Sequence, residues 1–166
     1  TDQPAIDRRL LELDGTANKA RLGGNAVIAV SMAALHAAAA ARSEPLWHVL
    51  AEGGPVALPM PMIQIFGGGA HAGQRLDVQD FLVIPIGAAS FDEALMMAAG
   101  VYRAAGEIMA KRGRLRGVAD EGGWWPEFGS NADALDTLVE AIDRAGLFPG
   151  DTIGIAIDVA ASQLYR

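Results

Sequence analysis

The chain has 166 residues, of which 51% are hydrophobic and 20% are charged, a composition typical of a globular protein with a sizeable core. Its formal net charge of -7 argues against nucleic acid as the main partner, because phosphate binding needs clustered Lys and Arg. The absence of cysteine excludes disulfides and thiolate metal sites and fits a cytoplasmic protein. No signal peptide is visible at the start. The longest apolar run, residues 26–41, is Ala-rich and shorter than the roughly 20 residues of a membrane span, which favours a buried helix.

The first third of the chain is predicted to be helical. Apolar residues at helical spacing predict helices over residues 5–13 and 26–42. Pro45 ends this helical unit, and residues 52–55 (EGGP) predict a linker. We therefore expect a helical domain, with its linker, over residues 1–54.

The rest of the chain predicts the element order β-β-α-α-β. Short apolar runs predict strands buried on both faces over residues 59–66, 78–84 and 153–158. Capping signals at Ser90 with Glu93, and at Ser130 or Asn131, predict helices that end near Lys111 and before Gly146. These two helices are too few to cover a three-stranded sheet, so its faces and edges would be exposed. This suggests missing sequence or a partner chain.

Two polar segments lie near the first two predicted strands. Residues 67–73 (GGGAHAG) allow the backbone to approach a ligand closely, and His71 could bind it or shuttle a proton. The alternative is a mobile surface loop with an incidental His. Gln79 and Asp80 border a very apolar strand, so Asp80 lies either at a solvent-facing strand start or in a site.

Two acidic segments lie further along the chain. In residues 120–126 (DEGGWWP), paired acids beside two Trp could give a desolvated carboxyl group suited to general acid catalysis, the alternative being an exposed turn. Asp158 ends a strongly apolar strand, where barrel enzymes place catalytic groups, and its carboxylate is a natural Mg²⁺ ligand. Helix capping is the competing explanation for Asp158.

Several motifs, in this order, resemble those of enolase. They are residues 11–16 (LELDGT) with 18–19 (NK), 22–26 (LGGNA), 58–62 (LPMPM), 71–79 (HAGQRLDVQ), 120–123 (DEGG) and 158–162 (DVAAS). The resemblance spans nearly the whole chain and implies an interior piece of the enzyme. Residues 1–54 would be the helical end of an α+β N-terminal domain, and residues 55–166 the first part of an atypical (β/α) barrel.

The resemblance also implies an activity. Enolases are lyases of glycolysis that interconvert 2-phosphoglycerate and phosphoenolpyruvate with Mg²⁺, and their superfamily is itself a standard example of a metal-stabilised ene-diolate. A lysine removes the proton α to the carboxylate, and a glutamic acid assists departure of the hydroxyl. A cytoplasmic homodimer with a small phosphorylated acid as substrate, and without nucleic acid or a membrane span, is therefore expected.

Carried over by position, the resemblance implies roles for five residues. Glu121 would be the acid, and Asp80 would assist it and contact substrate together with Gln79. His71 would act from the loop that closes over the substrate. Asp158 would be the first of three carboxylates that bind Mg²⁺.

Departures from the family pattern cluster around the inferred site. Asn, Asn, Glu, Phe, Ala and Asn are usual in the family where this chain has Gly67, Gln74, Asp80, Trp124, Trp125 and Glu127. The chain's two lysines, Lys19 and Lys111, follow no barrel strand, so the base and the other metal carboxylates are expected beyond these residues, and the 166-residue piece alone is expected to be inactive. The alternatives are a paralogue that dehydrates another acid-sugar or phospho-acid, and a non-catalytic binding module.

Overall fold

A computed structural model describes residues 2–164, with the side chain of His71 outside the described part. The chain divides into two compact units, Thr1–Ala57 and Leu58–Arg166.

The first unit consists of helices α1 (Gln3–Asp14), α2 (Gly24–Arg42) and α3 (Leu46–Ala51). Asp2 caps α1 by accepting a 3.0 Å hydrogen bond from the Ala5 amide, and Gly15 ends it in the left-handed conformation. Helix α3 was not predicted. Pro45 was expected to end the helical unit, but it instead precedes a further helix, because the fixed φ of proline suits the start of a helix as well as its end.

Helix α2 differs from the buried helix that its apolar sequence predicts. Its buried residues are Ala38 and Ala39, whereas Ile28, Val30 and Met32 are 60%, 52% and 54% exposed. The physical reason is that α1 and α3 are short and cover little of its surface. Within residues 2–164, α2 is the one helix that is long and apolar enough to cross a membrane by length and composition, a test that core helices of soluble proteins also pass.

A single buried carboxylate organises the loop between α1 and α2. Asp14 is 2% exposed, and its side chain accepts hydrogen bonds from the hydroxyl and amide of Thr16 and from the Leu22 amide at 2.7 Å. The hydrogen bonds from Thr16 and Leu22 hold the pKa of the Asp14 carboxyl below its ordinary value of 3.8. The motif at residues 11–16 is therefore structural in this unit.

We expect Asp14→Asn to lower the melting temperature at neutral pH, because an amide cannot accept all of these hydrogen bonds. The pKa of Asp14 is depressed on folding, so its contribution is complete above the ordinary value of 3.8 and is lost as pH falls through the folded pKa. The difference in melting temperature between wild type and variant should therefore shrink below about pH 4.

Thermal unfolding followed by circular dichroism between pH 3 and pH 7 measures this difference. Asp136→Asn, at an exposed aspartate, serves as the control and should leave the melting temperature unchanged at every pH. A difference for Asp14→Asn that is constant across this range would contradict the assignment.

The second unit has the predicted order β-β-α-α-β followed by a short helix. Its elements are β1 (Ile63–Gly67), β2 (Asp80–Ile84), α4 (Phe91–Lys111), α5 (Asn131–Arg144), β3 (Gly154–Asp158) and α6 (Ala161–Leu164). The sheet order is β1-β2-β3, and β2 is antiparallel to both neighbours. Strands β1 and β3 therefore run in the same direction and end at the same edge of the sheet.

The predicted strands differ from those observed in their bounds or their burial, and β2 begins at Asp80 instead of residue 78. Strand β1 begins at Ile63 instead of residue 59, because Pro59 and Pro61 lack the N–H groups that a strand needs for pairing. Strand β3 was expected to be buried on both faces, but Ile155 and Ile157 are 36% and 51% exposed. Among the described residues, β3 is an edge strand that pairs with β2 alone.

The core of this unit forms where α4 and α5 cover one face of the sheet. Its fully buried side chains include Phe66, Phe81, Val101, Met109, Leu138 and Ile142. Both helices begin as predicted: Ser90 Oγ accepts from the Glu93 amide and Ser130 Oγ from the Asp133 amide, each at 3.1 Å. Capping and apolar periodicity therefore agree on where these helices lie.

An aromatic contact joins α4 to the loop that follows it, residues 112–130, called here the α4–α5 loop. Trp124 stacks on Tyr102 with ring centroids 4.6 Å apart, and its Nε1 donates to the Tyr102 carbonyl at 2.8 Å. The ring lies directly over Gly106, where an added Cβ would be 2.6 Å from Trp124 Cζ2. Gly106 is therefore needed for space in the middle of a helix that would otherwise favour Ala.

We expect Gly106→Ala to destabilise the protein by about 1–3 kcal/mol, because the rigid indole ring has to move. Gly100→Ala in the same helix is the matched control, since its added Cβ would meet only the Ala145 Cβ at 3.9 Å. Helix propensity favours Ala over Gly by about 1 kcal/mol, so Gly100→Ala should be neutral or stabilising. Urea denaturation measures the free energy of unfolding of both variants. Equal changes in this free energy would contradict the role of space at Gly106.

Candidate active site

The sheet brings the ends of three strands together at one edge. Asp80, the first residue of β2, pairs with Gly67 at the end of β1 and with Asp158 at the end of β3. We call this the carboxylate edge and define it by these three residues. Paired residues on neighbouring antiparallel strands project to the same face, so Asp80 and Asp158 are neighbours although 78 positions separate them in the sequence.

Two glutamine side chains hold the Asp80 carboxylate, which is 6% exposed. Gln64 Nε2 donates to Asp80 Oδ1, and Gln79 Nε2 donates to Asp80 Oδ2 at 3.4 Å. Gln79 Nε2 also donates to Asp158 Oδ2 at 3.2 Å, so it links the two aspartates. Because Asp80 is enclosed and multiply bonded, it lies in an organised polar cluster and not at a solvent-facing strand start.

Glu121 reaches this cluster from the α4–α5 loop. That loop is fastened to β1 by the Trp124 amide, which donates to the Ile65 carbonyl at 2.8 Å, and by the Gly67 amide, which donates to the Trp124 carbonyl at 3.1 Å. Gln64 Nε2 lies 3.4 Å from Glu121 Oε2. Glu121, Asp80 and Asp158 are thus connected through two side-chain amides.

The surroundings of Glu121 differ from those predicted. Glu121 was expected to be buried against the indole rings, but it is exposed. Trp124 instead turns toward α4, while the Tyr102 hydroxyl donates to the Gly122 carbonyl at 2.9 Å. Burial raises the pKa of the Tyr102 hydroxyl above its ordinary value of 10.0.

The glycines after β1 are buried and closely packed instead of forming a mobile loop. A Cβ at Gly68 would clash with the Val78 carbonyl oxygen, and one at Gly69 would lie 3.1 Å from the Gln79 Cα. The Gly68 amide donates to the Gln79 carbonyl at 2.7 Å. Glycine is therefore required here for the close approach of residues 78–79.

The loop continues into a 3₁₀ turn at Ala70–Ala72. This turn contains His71, whose predicted role in binding or proton transfer falls on a side chain outside the described part. Gln163 of α6 holds the turn, since its Oε1 accepts from the Ala70 amide at 3.3 Å and its Nε2 donates to Gln79 Oε1 at 3.1 Å. The turn is thereby tied to the same network as Asp80 and Asp158.

The second tryptophan packs against the other end of this loop. Trp125 lies under Gly73, where an added Cβ would be 3.3 Å from the ring, and the Arg75 guanidinium lies 5.8 Å from the ring centroid. Gly73 has a φ of +75°, which favours glycine independently of this contact. Trp125 therefore supports the loop from one side, whereas Trp124 anchors the neighbouring segment to α4.

Asp158 fits the chemistry of a Mg²⁺ ligand. It is exposed at the end of β3, and one of its oxygens accepts the hydrogen bond from Gln79. A carboxylate has about four acceptor positions, so oxygen lone pairs suited to Mg²⁺ remain. Within the described residues, no group of three or more His, Asp or Glu side chains is arranged to hold a metal ion.

Two residues of this network, Gln64 and Gln163, were not predicted from the sequence. A signal for Gln64 was available, because it is the single polar residue within the apolar segment 62–66 (MIQIF). Gln163 gave no comparable signal, since its role follows from the position of α6 beside the Gly-rich loop.

The carboxylate edge lies where β1 and β3 end, and barrel enzymes place their active sites at the carboxyl ends of their strands. The matches to known families agree with the fold. Residues 55–166 match the model described as "Enolase, C-terminal TIM barrel domain", and residues 1–50 match "Enolase, N-terminal domain". The chain belongs to the enolase family, a family of lyases, and the predicted fold class, a partial enolase-type barrel preceded by N-terminal-domain helices, is confirmed.

Proposed function

We propose that the protein is a phosphopyruvate hydratase, which interconverts 2-phosphoglycerate and phosphoenolpyruvate in glycolysis and depends on Mg²⁺. The observation that carries the proposal is the network joining Asp80, Glu121 and Asp158 at the carboxylate edge. Membership of the enolase family supports the reaction class. A cytoplasmic homodimer is proposed on the same ground.

In this proposal Glu121 is the general acid. It is exposed at the carboxylate edge, so a substrate hydroxyl can reach it, and hydrogen bonding to Gln64 limits its orientation. In the dehydration, the electron pair left by the α proton forms the C=C bond while the C–O bond breaks. The proton of Glu121 goes to the departing oxygen, which leaves as water.

Asp80, Gln79 and His71 are proposed to orient the substrate beside Glu121. Asp80 is held by two amides and therefore keeps one geometry, which favours a positioning role over a mobile one. Asp158 is proposed to contribute one ligand to Mg²⁺, with the remaining ligands and the lysine base outside residues 2–164. When bound, Mg²⁺ supplies positive charge that stabilises the developing dianion.

We predict that Glu121→Gln in the full-length gene product lowers kcat at least ~10²-fold, because the substitution keeps shape and polarity but removes the acidic proton. Mg²⁺ binding, measured by calorimetry, should remain close to that of wild type. Glu107→Gln is the matched control, since Glu107 forms an exposed ion pair with Arg144 at 2.8 Å, away from this network. Near-normal kcat in Glu121→Gln would remove the assignment of the acid.

Asp158→Asn should give the complementary result. Replacing a charged oxygen ligand by a neutral amide weakens Mg²⁺ binding, so the Mg²⁺ concentration for half-maximal activity should rise at least ~10-fold. Calorimetric titration with Mg²⁺ alone provides a readout that does not depend on turnover. Unchanged Mg²⁺ affinity would contradict a role for Asp158 as a ligand.

A paralogue acting on another acid-sugar or phospho-acid is the second candidate, and Asp80 favours it. Asp80 is shorter than the Glu usual at this position and lies directly at the carboxylate edge, where a changed length alters the room for substrate. Trp124 gives the paralogue hypothesis less support, because the Trp124 ring packs on α4. Assays of 2-phosphoglycerate beside other acid substrates distinguish a phosphopyruvate hydratase from such a paralogue. A non-catalytic binding module would show no turnover and no dependence on Glu121 or Mg²⁺.

A further inference from the structure

One uncharged side chain joins the parts of the candidate site. Gln64 of β1 donates through Nε2 to Asp80 Oδ1 and, at 3.4 Å, to Glu121 Oε2. Its Oε1 accepts from the Gly123 amide at 2.8 Å. These partners belong to β2 and to the α4–α5 loop, so the Gln64 amide connects two chain segments that carry the proposed acid and its neighbour.

The α4–α5 loop leaves room for this amide by having glycine at position 123. An added Cβ at Gly123 would lie 2.5 Å from Gln64 Oε1 and 2.9 Å from Gln64 Cγ. The backbone of Gly123 is outside the left-handed region, so space and not backbone conformation requires glycine here. The Gln64 side chain and the gap at Gly123 therefore fit each other.

We infer that Gln64 is a positioning residue, whose amide holds the carboxyl groups of Asp80 and Glu121 toward the substrate hydroxyl that departs. The inference rests on the proposed function, which assigns Glu121 as the acid. An amide suits this position because it donates to both acids without adding charge between them and without titrating. Misplacement of a catalytic group by about 1 Å can lower the rate about 10²-fold. Holding the exposed Glu121 side chain in one orientation therefore protects the rate.

This role predicts that the two halves of the reaction respond differently. Removal of the α proton uses a base outside residues 2–164, whereas departure of the hydroxyl uses Glu121. Loss of the Gln64 amide should therefore impair departure of the hydroxyl more than removal of the α proton. A general loss of structure would reduce both steps together.

The test uses the full-length gene product with Mg²⁺ and 2-phosphoglycerate. Gln64→Leu removes the amide, and Gly123→Ala displaces it while leaving Gln64 in the sequence. Gly129→Ala is the matched control, because its added Cβ would meet no atom within 4 Å. For each variant, kcat and KM are measured, together with exchange of the substrate α proton for deuterium in D₂O, and a thermal melt checks folding.

We expect Gln64→Leu and Gly123→Ala each to lower kcat at least ~10-fold, with exchange of the α proton within about 3-fold of wild type. The double variant should be no worse than the single ones, because both substitutions remove the same contact. Gly129→Ala should behave as wild type.

Two outcomes overturn the inference: unchanged kcat in both folded variants, or an exchange rate that falls in parallel with kcat. If one variant does not fold, the other still decides. Failure of the proposed function has a different signature, namely a folded wild-type protein without turnover of 2-phosphoglycerate, and the inference then falls with it.

Discussion

The antiparallel pairing of β2 between β1 and β3 is the constraint on which the site depends. Strands that run in the same direction end at the same edge, and a central strand running the opposite way begins there. Asp80 at the start of β2 is thereby placed beside Asp158 at the end of β3. A register shift of one residue would turn Asp80 to the opposite face of the sheet. The hydrogen bonds between the strands therefore determine which side chains meet at the carboxylate edge.

The unusual residues near the site have different physical meanings. Trp124 packs between the α4–α5 loop and α4. Its ring occupies the space that a side chain at Gly106 would need. Gly67 and Asp80, by contrast, lie at the carboxylate edge itself. Departures from the family pattern thus lie at the candidate site in one case and in scaffold packing in another, and the three-dimensional arrangement distinguishes the two cases.

The sequence predicted the element order of the second unit because apolar runs and caps are local signals. Ser90 and Ser130 mark helix starts through hydrogen bonds to amides three residues on. It did not predict α3, since Pro45 is compatible with either a helix end or a helix start. The exposure of Ile157 was also missed, because an apolar strand has the same pattern whether or not neighbouring chain covers it.

The candidate site was likewise predictable from the sequence only in part. Asp158 could be located from its place after an apolar strand, and the pairing with Asp80 confirms where that strand ends. The surroundings of Glu121 could not be predicted, because they depend on which way adjacent side chains turn in an irregular loop. Gln64 stood out only as one amide in an apolar strand, and its bonds to Asp80, Glu121 and Gly123 depend on contacts distant in sequence.

The stacking of Trp124 on Tyr102 also gives the protein an intrinsic optical probe. Trp124 is half-buried, is hydrogen-bonded through Nε1, and lies three residues from Glu121. Trp47, in the other unit, is 57% exposed and is therefore largely in contact with water. Trp125, the third Trp, is next to Trp124 in the same loop and is also half-buried. The combined emission of Trp124 and Trp125 should therefore be distinguishable from that of Trp47 by its wavelength and its accessibility to quenchers. Movements of the segment that carries Glu121 can then be followed by fluorescence without attaching a label.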